Sequence, residues 1–198
     1  MMSLLAALHE RLTPDAVTQL ARRIGADPGA TGNATAVAVP LLLSALAAET
    51  ATGAGAMELH GAVARDHDGR VLDDAAGHLA QADESEGRAI LSHVLRSRQL
   101  AVEEGLADSA GLSRGQAGGV LASLAPLVLA AVGRMQREQR LDPTGLSAAL
   151  ADERARIKDR APGALGALEG LLDGHAPARP GDAAGDVGSV LSSLFAQP

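Results

Sequence analysis

Two stretches of the chain are apolar on every side of a helical wheel. They are "VAVPLLLSALAA" (Val37 to Ala48) and "SLAPLVLAAVG" (Ser123 to Gly133). Each lies in a longer run without charge, Pro28 to Ala48 and Gly115 to Gly133, and each has one proline just before its most apolar residues. Leu121, Leu124, Val128, Val132 and Met135 recur near helical spacing, and Leu127 and Leu129 widen the apolar surface. A helix apolar nearly all round belongs at the centre of a bundle or at an interface. A membrane span needs about 20 predominantly apolar residues. The leading parts of these runs, "PGATGNAT" and "GQAGG", are poor material for lipid. About a dozen strongly apolar residues remain in each, a length that suits buried core helices. The pattern predicts no membrane span. It places Pro40, Leu41, Leu42, Leu43, Leu121, Leu124, Pro126, Leu127, Val128 and Leu129 either in the core or on a self-association surface.

The two stretches belong to two copies of one pattern. With Pro40 set over Pro126, "LARRIGADPGATGNATAVAVPLLLSAL" (Leu20 to Leu46) falls without gaps on "LADSAGLSRGQAGGVLASLAPLVLAAV" (Leu106 to Val132), and roughly ten of 27 positions are identical. In each copy a helix ends at a glycine, Gly25 or Gly111, in the position that favours a left-handed cap. Asp27 or Ser113 follows as an N-cap, and a second helix then runs into the proline. A proline there kinks the helix or opens a new one at its first position. The copies extend to "HDGRVLDDAAGHLA" (His67 to Ala80) and "AGDVGSVLSSLFAQ" (Ala184 to Gln197), where Gly69 and Val71-Leu72 correspond to Gly188 and Val190-Leu191. Their spacing from the proline differs, so the second copy carries an insertion within Gln136 to Asp173. That insertion reads as a charged helix end, a short loop at Asp142-Pro143 and a longer amphipathic helix. The expected organisation is a helical module over 1–85, a second over 86–173, and a Pro/Gly/Ala-rich linker with a short C-terminal helix over 174–198.

Composition sharpens the fold class. Of 198 residues, 46 % are hydrophobic, yet Phe195 is the one aromatic. Ala and Leu favour helices, whereas strands favour β-branched and aromatic side chains. The expectation is an all-α, multi-helical protein whose two related modules, born of an internal duplication, pack as one compact bundle-like unit. The net charge of −7 disfavours a phosphate backbone. Two basic groups, Arg134/Arg137/Arg140 and Arg154/Arg156/Lys158/Arg160, read as solvated helix faces. With no cysteine there is no disulfide and no thiolate metal site, which suits the cytoplasm. The start "MMSLLAALHERLTPD" lacks a basic n-region and is not expected to be a secretory signal.

The stretch Glu86 to Gly133 resembles the core of the YidB-like family of bacterial proteins of unknown function. The residues that carry the resemblance are Glu86-Gly87, Ile90-Leu91-Ser92-His93-Val94-Leu95, Gly111-Leu112-Ser113 and Leu124-Ala125-Pro126-Leu127-Val128, with "DGRVLDD" (Asp68 to Asp74) as a further match. The chain departs from the family after Leu95, where a glycine is frequent and Arg96 stands here. The resemblance implies a compact all-helical fold and no established activity, and it carries over no catalytic residue.

Candidate chemistry is sparse. "DHDGRVLDD" (Asp66 to Asp74) approaches a calcium loop, but with Gly69 at the sixth position the first and twelfth are Ala64 and Ala75, which offer no side-chain ligand. A turn at Asp68-Gly69, followed by a helix with Asp73 and Asp74 in its first turn, is the simpler reading. His9 lacks the second histidine of a zincin pair. His60 and His67 could share a helix face but have no further ligand at a fixed spacing, and His93 reads as a hydrogen-bonded helix histidine. Asp83-Glu84 and Glu103-Glu104 read as exposed helix acids. No nucleophile elbow, phosphate loop or dinucleotide fingerprint occurs. No cofactor, metal or small-molecule ligand is expected. The function expected is that of a non-enzymatic structural protein, cytoplasmic and homo-oligomeric, which self-associates through apolar helix faces into a filament or lattice. The alternative is an adaptor or binding module with a helix-turn-helix-like nucleic-acid contact around Gly111, a partner that the charge makes improbable.

Overall fold

The structure, a computed structural model, describes residues 3–67 and 69–160. The expected linker and C-terminal helix over 174–198, the end of the insertion and the second match at Ala184 to Gln197 lie outside the described residues. Among those described, every regular element is helical. The α-helices are α1 (Leu4–Arg11), α2 (Pro14–Ile24), α3 (Pro28–Glu49), α4 (Gly53–Asp66), α5 (Ala75–Gln81), α6 (Glu84–Leu95), α7 (Gln99–Ala110), α8 (Arg114–Gln139) and α9 (Pro143–Arg160). Single 3-10 turns at Arg70–Leu72 and Arg96–Arg98 lead into α5 and α7.

The two helix pairs expected from the repeat form with matching caps. Gly25 closes α2 at φ 64° and Gly111 closes α7 at φ 68°, both left-handed. Asp27 accepts a hydrogen bond from the Ala30 amide, and Ser113 accepts one from the Gln116 amide within a full capping box. Both prolines sit inside continuous helices, so neither opens a new one. Pro40 lies twelve residues after the start of α3 (40 − 28), and Pro126 twelve after the start of α8 (126 − 114). The register within each pair also agrees. A Cβ on Gly32 of α3 would meet Val17 of α2 at 3.8 Å, and one on Gly118 of α8 would meet Glu103 of α7 at 3.3 Å. Val17 and Glu103 are 86 residues apart, as are Gly32 and Gly118.

Helices α3 and α8 pack on each other, and the rest are arranged around them. Buried residues from α1 through α9 join in one apolar cluster that crosses the boundary expected at residue 85. By length and composition α3 and α8 are the two helices among the described residues that could cross a membrane, but 78 % and 89 % of their most apolar windows are buried inside the protein. Helix α6 covers α8 closely, because Gly87 brings the two backbones together. Helix α9 packs on α3 and α4. Its start follows from Asp142, whose carboxylate accepts from the Gly145 amide at 2.7 Å.

One local expectation changes. Asp73 and Asp74 precede α5 instead of forming its first turn. Asp73 closes the 3-10 turn, and Asp74 is the N-cap, accepting from the Gly77 amide at 2.8 Å. A residue with a short carboxylate satisfies more orphan amides before the helix than within it.

Candidate functional site

The ten residues singled out from the apolar runs all lie in the core of a single chain. Leu41, Leu121 and Leu124 are fully buried, and all ten positions are covered by the chain itself.

What the chain leaves uncovered is the outer face of α3. A cleft of about 700 Å³ runs between α1, α2 and α3. Its floor is Gly29, Gly32, Thr35, Ala36 and Val39 of α3, and its walls include Leu5 and His9 of α1 and Val17 of α2. Pro40 has no N–H, so the carbonyl of Ala36, four residues back, lacks its ordinary helical donor. Pro126 does the same to the carbonyl of Ala122. In the second helix pair that carbonyl is covered: Gly87 of α6 lies so close that a Cβ would overlap the Ala122 oxygen. In the first pair Ala36 faces the cleft. Helix α1, eight residues long against twelve in α6, packs chiefly on α8 and leaves α3 open.

A charged cluster forms where three helices meet. Glu49 ends α3, Glu58 lies in α4 and His93 lies in the last turn of α6, and one ligand atom from each falls within 4.8 Å of the others. His93 Nε2 stands 3.5 Å from Glu58 Oε1, so the histidine has an acidic partner across helices. The Arg96 guanidinium pairs with Glu49. Arg96 sits at φ 53°, ψ −127°, a backbone conformation that residues with a Cβ rarely adopt. The resemblance leads to the expectation of a glycine at this position, and a left-handed φ is the conformation that glycine adopts at least cost. These are the described residues that could hold a metal ion.

Other candidates are tied into the fold. Arg134 donates to the Gly69 carbonyl at 2.6 Å and to Asp73 at 2.8 Å, and Arg137 donates to the His67 carbonyl at 3.4 Å. Arg140 is the left-handed cap of α8 at φ 52°. Arg134 is thus tied into the fold, while Arg137 and Arg140 lie exposed at the solvated end of α8. Gly69, at φ 80°, makes the expected turn, while Asp68 lies outside the described residues. His60 Nε2 lies 3.0 Å from the Leu141 carbonyl, so it bonds the α8–α9 connection.

Glu103 corrects the reading of paired acids as exposed. It is buried against Gly118 and accepts from Gln99 at 2.8 Å, because α7 turns this position toward α8. Glu153, one residue before the second basic group, is also buried. It accepts from Ser3 Oγ at 2.7 Å and from the Leu5 amide at 2.9 Å, which caps α1. Arg23 bridges Ser123 at 2.9 Å and Glu84 at 3.5 Å. Near it His78 buries an unpartnered Nε2. Desolvation lowers its pKa, Arg23 lowers it further, and Glu86 opposes both. Nothing in their spacing along the chain marks Glu103 or Glu153, since their partners come from the tertiary arrangement.

A family model described as a bacterial protein of unknown function (DUF937) matches residues 6–135, a span that runs from α1 to the last turns of α8 and takes in both helix pairs. No curated protein matches the chain, and no solved structure does.

Proposed function

We propose that this chain, which belongs to the DUF937 family of bacterial proteins of unknown function, is a non-enzymatic helical scaffold that self-associates through the cleft between α1, α2 and α3. The observation that carries the reading is the unequal treatment of two matched positions. Gly87 covers the carbonyl of Ala122, while Ala36 lines an open, apolar cleft. A helix that presents a small residue at the crossing would cover α3 as α6 covers α8, with a Cα–H contact to the freed carbonyl. The second copy of the chain is the partner in this reading. Two modules related by duplication, over 1–85 and 86–173, account for the shared caps, proline position and helix-pair register, and they pack as one bundle-like unit. The scaffold is cytoplasmic, works without a cofactor and does not contact nucleic acid. A second copy that enters the cleft with a different surface makes a heterologous contact, which extends a chain of copies instead of closing a pair.

Light scattering after size exclusion tests it over a concentration series. The wild type should gain mass with concentration, and Ala36→Leu, which fills the cleft floor, should remain monomeric at the same concentrations. A wild type that stays a monodisperse monomer at the highest concentration would falsify the reading.

A further inference from the structure

We propose that Glu49, Glu58 and His93 form a binding site for a first-row divalent cation of the Zn²⁺ or Co²⁺ type, and that Arg96 is its built-in competitor. Two carboxylates and an imidazole are the donor set that such ions share, and magnesium or calcium would prefer oxygen alone. Donors about 2.0–2.1 Å from a tetrahedral ion lie about 3.3 Å from one another. His93 and Glu58 stand 3.5 Å apart, with the Glu49 donor inside the same 4.8 Å circle, so small rotations of the side chains close the set. The three donors come from three different helices, which the core holds in place.

An independent feature also points to a cation. Glu49 is the last residue of α3 and His93 lies in the last turn of α6, so two helix carboxyl ends, each the negative end of its dipole, converge there. The fold already places a positive group on the spot. The Arg96 guanidinium pairs with Glu49 from a strained backbone, and with its side chain 59 % exposed it can swing into water when an ion takes its place. The ion must win Glu49 from Arg96, so the wild-type affinity is held below what the three donors offer.

The test is Co²⁺ absorption and Zn²⁺ titration calorimetry on the full chain, with the metal salts alone as probes. The wild type should bind one ion per chain, Arg96→Gly should bind at least tenfold more tightly, and His93→Gln and Glu58→Gln should each bind at least tenfold more weakly. All three positions are solvent-exposed, and circular dichroism with thermal melts confirms that each variant is folded. Binding by His93→Gln equal to wild type places the ion on another histidine and overturns the proposal. Arg96→Gly binding no tighter than wild type overturns the role of Arg96. Neither result bears on self-association, which is read from mass alone.

Discussion

Gly87 of α6 lies against the main-chain carbonyl of Ala122 in α8, the carbonyl that Pro126 leaves without its helical donor. One glycine and one proline, 39 residues apart (126 − 87), set how closely the two helices approach. A Cβ at position 87 meets backbone, which cannot rotate away as a side chain can. Gly87→Ala should therefore destabilise the fold by about 1–3 kcal/mol despite the better helix propensity of alanine. In a chain of this size that is a fall in Tm of roughly 3–10 °C. Gly115→Ala is the control. Nothing lies within 4 Å of its Cβ position, so this exposed substitution should be neutral or raise stability by up to about 1 kcal/mol. Equal melting of the two variants would contradict the packing argument.

Arg96 carries backbone strain on the order of 1–3 kcal/mol. Its ion pair with Glu49 is partly exposed and contributes about 0–1 kcal/mol. Arg96→Gly releases the strain and loses the pair, and Arg96→Ala loses the pair and keeps the strain. The glycine variant should melt at or above the wild type, and the alanine variant below both. The order is read from thermal unfolding without added metal, and an alanine variant as stable as the glycine one would refute it.

The Glu153 carboxylate receives two hydrogen bonds at the start of α1, and its side chain is 3 % exposed. Glu153→Ala leaves Ser3 and the Leu5 amide without their acceptor. Hydrogen bonds to a charged group contribute about 1.5–3 kcal/mol. The urea midpoint should fall accordingly, and amide exchange at Leu5 should accelerate more than exchange in α8. Uniform acceleration through both helices would argue against a local cap.

Acid should weaken the fold through His78 first. Its pKa in the folded chain is depressed below the ordinary 6.5 because burial disfavours the imidazolium. As pH falls through 6.5 the unfolded chain takes up this proton before the folded one, so the contribution is present above 6.5 and lost below it. Asp83 follows at lower pH. The hydroxyl and amide of Ser85 hold its carboxylate below 3.8, and its contribution is lost as pH falls from there through the folded pKa. Between pH 7 and 5 the Tm of His78→Gln should change less than that of the wild type. Parallel curves would place the acid sensitivity elsewhere.

Much of this architecture is legible along the chain because its determinants are local. Gly25, Asp27 and Pro40, and their counterparts Gly111, Ser113 and Pro126, act within a turn or two of themselves, so both helix pairs and their caps follow from residue order. The apolar runs mark α3 and α8 as central for the same reason. Glu103 reads as a surface acid, and nothing along the chain marks Glu153, because burial depends on which helix arrives from elsewhere. The cleft was equally hidden: the two copies match at Ala36 and Ala122, and only the packing of α1 and α6 tells them apart. Arg96 lies between these cases. Its departure from an expected glycine is visible along the chain, but its backbone conformation and its pairing with Glu49 needed the fold.

The carboxylate at Glu153 also sets an order of events during synthesis. Helix α1 is made well before α9, so the Glu153 carboxylate that accepts from Ser3 and from the Leu5 amide arrives about 150 residues later. At about 5–20 residues per second the wait is roughly seven to thirty seconds. Through that interval Leu4, Leu5 and Leu8, all buried in the finished fold, have no completed core to enter. Helix α1 is thus made long before the contact that ties it to α9, and a nascent chain arrested before α9 presents this apolar face to whatever meets it at the tunnel exit.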